Sequence, residues 1–161
     1  MSRTQQRTPV RPQAPTRPVA PVGARVLPDT PDIPTWTQRL TPKHVRTALA
    51  GLGLYNNPTP QPPSIHLQQT LAVIERYGHC KSLAVSPTGR VCIHGAQGVL
   101  ENAGYVTPQA RGQAVQYMQE VLATWGVRMQ FFAWNDLPDT PLKDVETLLT
   151  SASHRARANG A

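Results

Sequence analysis

Both cysteines and two of the five histidines of this chain fall in one stretch of twenty residues, YGHCKSLAVSPTGRVCIHGA, at 77–96. Three kinds of chemistry compete for it. Cys80, Cys92, His79 and His94 are the residue types that hold zinc. Cys92 and His94 are a thiol and a base two residues apart. The third reading is a β-hairpin that merely carries soft side chains. A cysteine nucleophile needs a base within hydrogen-bond reach and a third group to orient that base. Asn135 or Asp136, in the run Trp134-Asn135-Asp136, is available for the third role.

The element that must position these residues is a reversal. In SPTG, residues 86–89, proline suits the second turn position and glycine the position of positive φ. A three-residue loop Pro87-Thr88-Gly89 sets Ser86 opposite Arg90, Val85 opposite Val91 and Leu83 opposite Ile93, with Ala84 opposite Cys92 and Ser82 opposite His94. This register is self-consistent, because the four branched apolar residues share one face. It also sets Cys80 opposite Ala96, four positions from Cys92, or roughly 13 Å at ~3.3 Å per residue. A disulfide needs Cα atoms within about 7 Å, so the register argues against an internal bridge. A shared zinc ion fails similarly and returns only if the strand breaks near Lys81 and the chain folds back; Cys-x11-Cys also matches no common zinc spacing. No metal and no cofactor are expected. GAQG, residues 95–98, lacks the lysine and serine of a phosphate loop, so Gly95 reads as a packing glycine.

The rest of the chain divides by composition. Eight of the seventeen prolines lie in the first 34 residues, and residues 1–28 carry Arg3, Arg7, Arg11, Arg17 and Arg25 with no acid. The remaining residues carry eleven basic and nine acidic side chains, so the net charge of +7 belongs mainly to this arm. Residues 1–34 are expected to be disordered with polyproline character. RPQAPTRP, residues 11–18, has the form of a ligand for proline grooves. The arginines also suit weak, salt-dependent contact with phosphates. No apolar run approaches a membrane span, no apolar stretch follows the N-terminal arginines as in a secretory signal, and two cysteines make no disulfide framework. A cytoplasmic setting is the expectation.

Residues 35–153 read as one domain, and 154–161 as a frayed tail. Thr41-Pro42, Thr107-Pro108 and Thr140-Pro141 each read as a helix start, threonine capping and proline at the first helical position. The first helix predicts Val45, Ala48, Leu49 and Leu52 facing inward. A second starts after a Ser64 cap, with Leu67, Leu71, Ile74 and Tyr77 as its buried stripe. A third runs from Pro108 to Trp125 on Ala114, Tyr117, Met118, Val121, Leu122 and Trp125, and stops at Gly126. The last runs from Pro141 to about Ser153 on Leu142, Val145, Leu148, Leu149 and Ala152. Val127, Met129 and Phe131 alternate with Arg128, Gln130 and Phe132, as a half-buried strand does. The expected fold class is α+β: four or five short helices packed on a small antiparallel sheet, made of a hairpin at about 81–94 and a strand at about 127–133, behind a disordered arm.

One order of motifs carries a resemblance. TLAVIERYGHCKSLAVSPTGRVCIHGA, then a spacer helix, then AWNDLPDTPLKDVETLLTSA, is similar to a small family of actinobacteria and their phages known as a domain of unknown function. Gly89, Cys92, Gly95 and Ala96 match its G-x-x-C-x-x-G-A signature, and Trp134, Asn135, Asp136 and Thr140 its W-N-D helix-capping motif. The match spans roughly 65–153, and Gly78-His79 departs from it where a tryptophan is usual. Thirteen arginines to three lysines fit a GC-rich genome. The resemblance implies a fold unit and a habitat without an activity.

No complete catalytic signature is present. The leading expectation is therefore a non-enzymatic interaction protein that binds a protein or a nucleic acid through Trp134, Asn135 and Asp136, with Arg3, Arg7, Arg11, Arg17 and Arg25 assisting association and no membrane contact. The alternative is a small thiol-dependent hydrolase or transferase using Cys92, His94 and Asp136.

Overall fold

A computed structural model describes residues 32–35, 38, 41–55 and 57–161. The arm expected over 1–34 lies outside them, save its last three residues. Those three lie on the body: Gln69 Nε2 donates to the Asp32 carbonyl at 2.7 Å, the Tyr77 hydroxyl donates to the Pro34 carbonyl at 3.2 Å, and Ile33 packs against the core.

Among the described residues there are six helices and no strand: α1 Lys43–Gly51, α2 Pro63–Tyr77, α3 Ile93–Ala103, α4 Pro108–Thr124, α5 Phe131–Asn135 and α6 Leu142–Ala158. The α+β expectation is thus corrected to a helical fold. α2 packs against α6, α3 and α4, and α6 also packs against α4. Because α2 has neighbours on several sides, it buries His66, Gln69 and Thr70 as well as Leu67, Val73 and Ile74. It starts at Pro63, so Ser64 lies inside the helix, where its carbonyl accepts from Ser153 Oγ on α6 at 2.9 Å. α6 buries Val145, Leu148, Leu149, Ala152 and Ala156, the i, i+3, i+4, i+7 and i+11 positions of one stripe. It was expected to end near Ser153 and instead continues to Ala158, because Ala156 reaches the core.

Of the three threonine-proline starts, Thr107 works as expected: its Oγ1 accepts from the Ala110 N–H at 3.1 Å. Thr140 is buried and donates to the Trp134 carbonyl at 2.8 Å, and α6 begins two residues later. α1 has Pro42 at its cap position. The apolar stripe predicted for α1 also faces the wrong way. Leu52 is 72% exposed, Ala48 and Val45 are exposed, and Leu49 is half-buried. The buried residue of this helix is Arg46, whose Nη2 donates to the Asn102 carbonyl near the end of α3. A cation there meets the negative end of a helix, so charge rather than apolar area docks α1.

The hairpin survives as a single rung. Val85 and Val91 form an antiparallel bridge, with Ser86 N–H donating to Arg90 O at 2.8 Å and Cys92 N–H to Ala84 O at 3.2 Å. Pairing ends there because Cys92 is the N-cap of α3, so Leu83–Ile93 and Ser82–His94 never form. Gly95 is needed for the close approach: a Cβ there would overlap the Ala84 carbonyl. The strand expected at 127–133 is likewise absent. Residues 127–130 are irregular and Phe131 opens α5, its N–H donating to Gln119 Oε1 at 2.6 Å. Period-two alternation over so few residues does not separate a strand from a loop running into a helix. Among the described residues no helix is long and apolar enough to cross a membrane.

Candidate functional site

Three pieces of chain meet beside the start of α3: the irregular segment 81–86, the cap and first turn of α3, and the short helix α5 with the residue after it. Asp136 ties two of them together. Its Oδ1 accepts from the Ser82 N–H at 2.8 Å and from Asn135 Nδ2 at 2.8 Å. Since Asn135 spends its NH2 on a carboxylate, its Oδ1 must accept from His79 Nε2, 2.8 Å away. His79 therefore carries its proton on Nε2. Lys81 adds a second clasp, donating from Nζ to the Leu137 carbonyl at 2.6 Å and the Pro138 carbonyl at 2.9 Å. Ser82 sits at φ 64, the left-handed region that side chains avoid, and Asp136 holds it there by its N–H.

Between these pieces lies a pocket of about 340 Å3, lined by Ser82, Leu83, Ala84, Cys92, His94, Phe132, Asn135 and Asp136. Four of the residues singled out from the sequence thus converge. Leu83 and Phe132 are the pocket's large apolar members, each 51% exposed. Asn135 is buried and Asp136 exposed. Trp134 is not part of the lining. It is buried and packs on Trp125 with ring centroids 6.0 Å apart and planes tilted by 56°.

Within the pocket the candidate catalytic groups are occupied separately. Cys92 Sγ accepts from the Gly95 N–H at 3.3 Å, which makes the thiol a helix cap. His94 is the second residue of α3 rather than part of a strand, and its Nδ1 accepts from Arg111 Nη2 at 3.2 Å. Arg111 in turn pairs with Glu101 at 2.6 Å. Among the described residues no hydrogen bond links Cys92 to His94 or to His79. The expectation that Cys92 and His94 share a strand face is therefore corrected: a helix cap and the position two residues on do not face one another.

Cys80 was expected far from Cys92, and the chain contradicts the register behind that expectation. The segment breaks after Lys81 and folds back, so Cys80 N–H donates to Val91 O at 3.0 Å instead of lying opposite Ala96. Both cysteines are free thiols. Burial first, and then the neighbouring Cys92, push the Cys80 thiol above its ordinary range. Among the described residues no three His, Cys, Asp or Glu side chains are grouped to hold a metal ion.

Sequence reasoning passed over Ser82, Leu83 and Phe132 as site residues, and weighed His79 only as a zinc-ligand type. Leu83 and Phe132 carried the signal of apolar residues in short segments, but both were assigned to sheet faces that do not exist. Nothing in the sequence pairs His79 with Asn135, because that partner is 56 residues away. Arg3, Arg7, Arg11, Arg17 and Arg25 lie outside the described residues.

Residues 58–155 match the family described as "Family of unknown function (DUF6197)". No curated protein and no solved structure matches the chain.

Proposed function

The chain belongs to DUF6197, a family whose description assigns no activity, and we propose that its folded part is a non-enzymatic protein-binding module that seats one anchoring side chain of a partner in the pocket. The observation that carries this reading is the pair Leu83 and Phe132. Both stand half-exposed in the lining of a pocket that also holds the buried Asn135 and the exposed Asp136 and His94. Apolar side chains beside a few fixed polar groups are what a surface uses to receive an anchor residue, and monomers leave large apolar side chains exposed together mainly where something covers them. The wall is preorganised, since Asp136, Asn135 and His79 already hold one another, so little ordering is left for binding to do.

The test is selection of peptides from a random displayed library on the full-length protein. Peptides enriched on the native chain are expected to share a long side chain at one position and to lose about tenfold or more in affinity for Phe132→Asp. Failure to enrich any peptide, or equal binding to that variant, overturns the reading.

The arm's five arginines are proposed to assist association by long-range attraction to an acidic partner. Removing residues 1–31, which spares the docked Asp32, Ile33 and Pro34, should weaken binding and flatten its salt dependence. A nucleic-acid partner rests on the arm alone. An actinobacterial or phage source, in the cytoplasm, is the setting we propose, supported by the arginine bias and two free thiols.

A thiol-dependent hydrolase or transferase is the second reading, favoured by Cys92, His94 and Asp136 lining one pocket. It requires His94 to leave Arg111 and reach Cys92. Fast labelling of native Cys92 by iodoacetamide near neutral pH would support it; labelling that waits for denaturation would remove it.

A further inference from the structure

Val91 is bridged on both sides. Segment 84–86 runs antiparallel to it, and segment 78–80 runs parallel, with Val91 N–H donating to Gly78 O at 2.9 Å and Cys80 N–H donating to Val91 O at 3.0 Å. These two bonds define the parallel rung His79–Val91. The bridge is a single rung; in a parallel pair both chains advance together, so the residues that follow it on the two segments are Cys80 and Cys92, on the face opposite His79 and Val91. Paired strands lie roughly 4.7–4.9 Å apart, and disulfides occur at Cα separations of roughly 4.4–6.8 Å. Cys92 is extended at this point, with φ −87 and ψ 175, before the chain turns into α3. The thiols nevertheless remain separate. The single S–H of Cys80 lies between the Leu83 carbonyl at 3.2 Å and the Arg90 carbonyl at 3.4 Å, and Cys92 Sγ caps Gly95.

We propose that Cys80 and Cys92 are a redox couple that closes reversibly into an intramolecular disulfide, with a low-molecular-weight disulfide such as oxidised glutathione as its co-substrate. Cys80 is the half-buried member and Cys92 only 7% exposed, so Cys80 is the thiol that meets the co-substrate. Its thiolate attacks one sulfur of oxidised glutathione and expels one glutathione thiolate, leaving a mixed disulfide on Cys80. Cys92, as thiolate, then attacks Cys80 Sγ and expels the second glutathione. The protein gives up two electrons and two protons; oxidised glutathione takes the electrons and leaves as two thiols. The raised pKa of the Cys80 thiol makes the first step faster with increasing pH.

Closure changes the pocket. A disulfide has no S–H to donate, so the Leu83 and Arg90 carbonyls lose their contacts with Cys80 and the cap on Gly95 is weakened. The residues enclosed by the new bond, 81–91, include Ser82, Leu83 and Ala84, which form one pocket wall. This couple stands on backbone register alone and holds whether or not the pocket binds a protein.

The experiment equilibrates the folded full-length protein with graded ratios of reduced to oxidised glutathione, quenches with an alkylating agent, and reads intact mass and linked peptides. The expected product is a monomer lighter by two hydrogens with Cys80 joined to Cys92, reopened by dithiothreitol. Its effective thiol concentration should exceed that of the urea-unfolded chain by on the order of tenfold, since the fold presents the pair in register. Thiols that stay separately alkylatable at every ratio, glutathione adducts that accumulate without closure, or equal closure in urea would overturn the proposal.

Discussion

Asn135 Oδ1 lies 2.8 Å from His79 Nε2, joining α5 to the chain leaving α2 across 56 residues of sequence. Asn135 is 1% exposed, so its amide depends on these protein partners rather than on solvent. Asn135→Leu removes the acceptor for His79 and the amide donor to Asp136. It should lower unfolding free energy by about 1–3 kcal/mol in urea titration and should loosen Ser82, read as faster amide exchange there. Asp136→Asn keeps the size and weakens the charge-assisted bond to Ser82 N–H, with a smaller loss.

Two glycines of α3 should respond with opposite sign. Gly95→Ala drives a methyl into the Ala84 carbonyl, and overpacking of this kind costs about 1–3 kcal/mol. Gly98 has open space at its Cβ position inside the same helix, so Gly98→Ala should stabilise by about 0.5–1 kcal/mol. Thermal melts of the two variants side by side check both signs.

His66 sets a pH dependence. It is fully buried, and burial, with a smaller contribution from the Arg111 charge, lowers its pKa from 6.5 to about 4. The unfolded chain therefore binds the proton first as pH falls. Stability is fully present above about 6.5, declines between 6.5 and 4, and has lost about 3 kcal/mol from this group once the folded state titrates. His66→Phe should flatten that window in unfolding curves taken between those pH values.

Gln97 is also fully buried, and neither amide atom has a hydrogen-bond partner among the described residues. Replacing an unpaired buried amide by an apolar chain of similar shape removes a desolvation cost. Gln97→Met is expected to raise the denaturation midpoint, by about 1 kcal/mol in free energy.

The helices that carry the core were readable from spacing. Leu67 and Ile74 on α2, Met118 and Leu122 on α4, and Leu148 and Leu149 on α6 lie where helical periodicity places them, each fully buried. The Val85–Val91 rung was readable as well, since turn chemistry is local. What failed depends on longer range. Cys92 could continue a strand or cap a helix, and only the approach of the Ala84 carbonyl to Gly95 decides between them. The parallel rung on the other side of Val91 joins residues twelve apart without a turn signature, so nothing in the sequence announced Cys80 beside Cys92. Arg46 shows the same limit: periodicity ranked its apolar neighbours for burial, while a backbone carbonyl on α3 claimed the cation. Four pocket residues were nameable in advance because they belong to functional residue types. The apolar members were not, for an apolar side chain in a short segment reads as core until its neighbours are known.

The hydrogen bond from Ser153 to Ser64 spans 89 residues, and it marks where the ends of the domain close. During synthesis the helix carrying Ser64 leaves the ribosome long before the one carrying Ser153, so the face of α2 that packs on α6 waits in water for its last neighbour. Folding of the nascent domain is thereby deferred until translation has passed α6, and a chain arrested before that point is a natural client for chaperones and proteases.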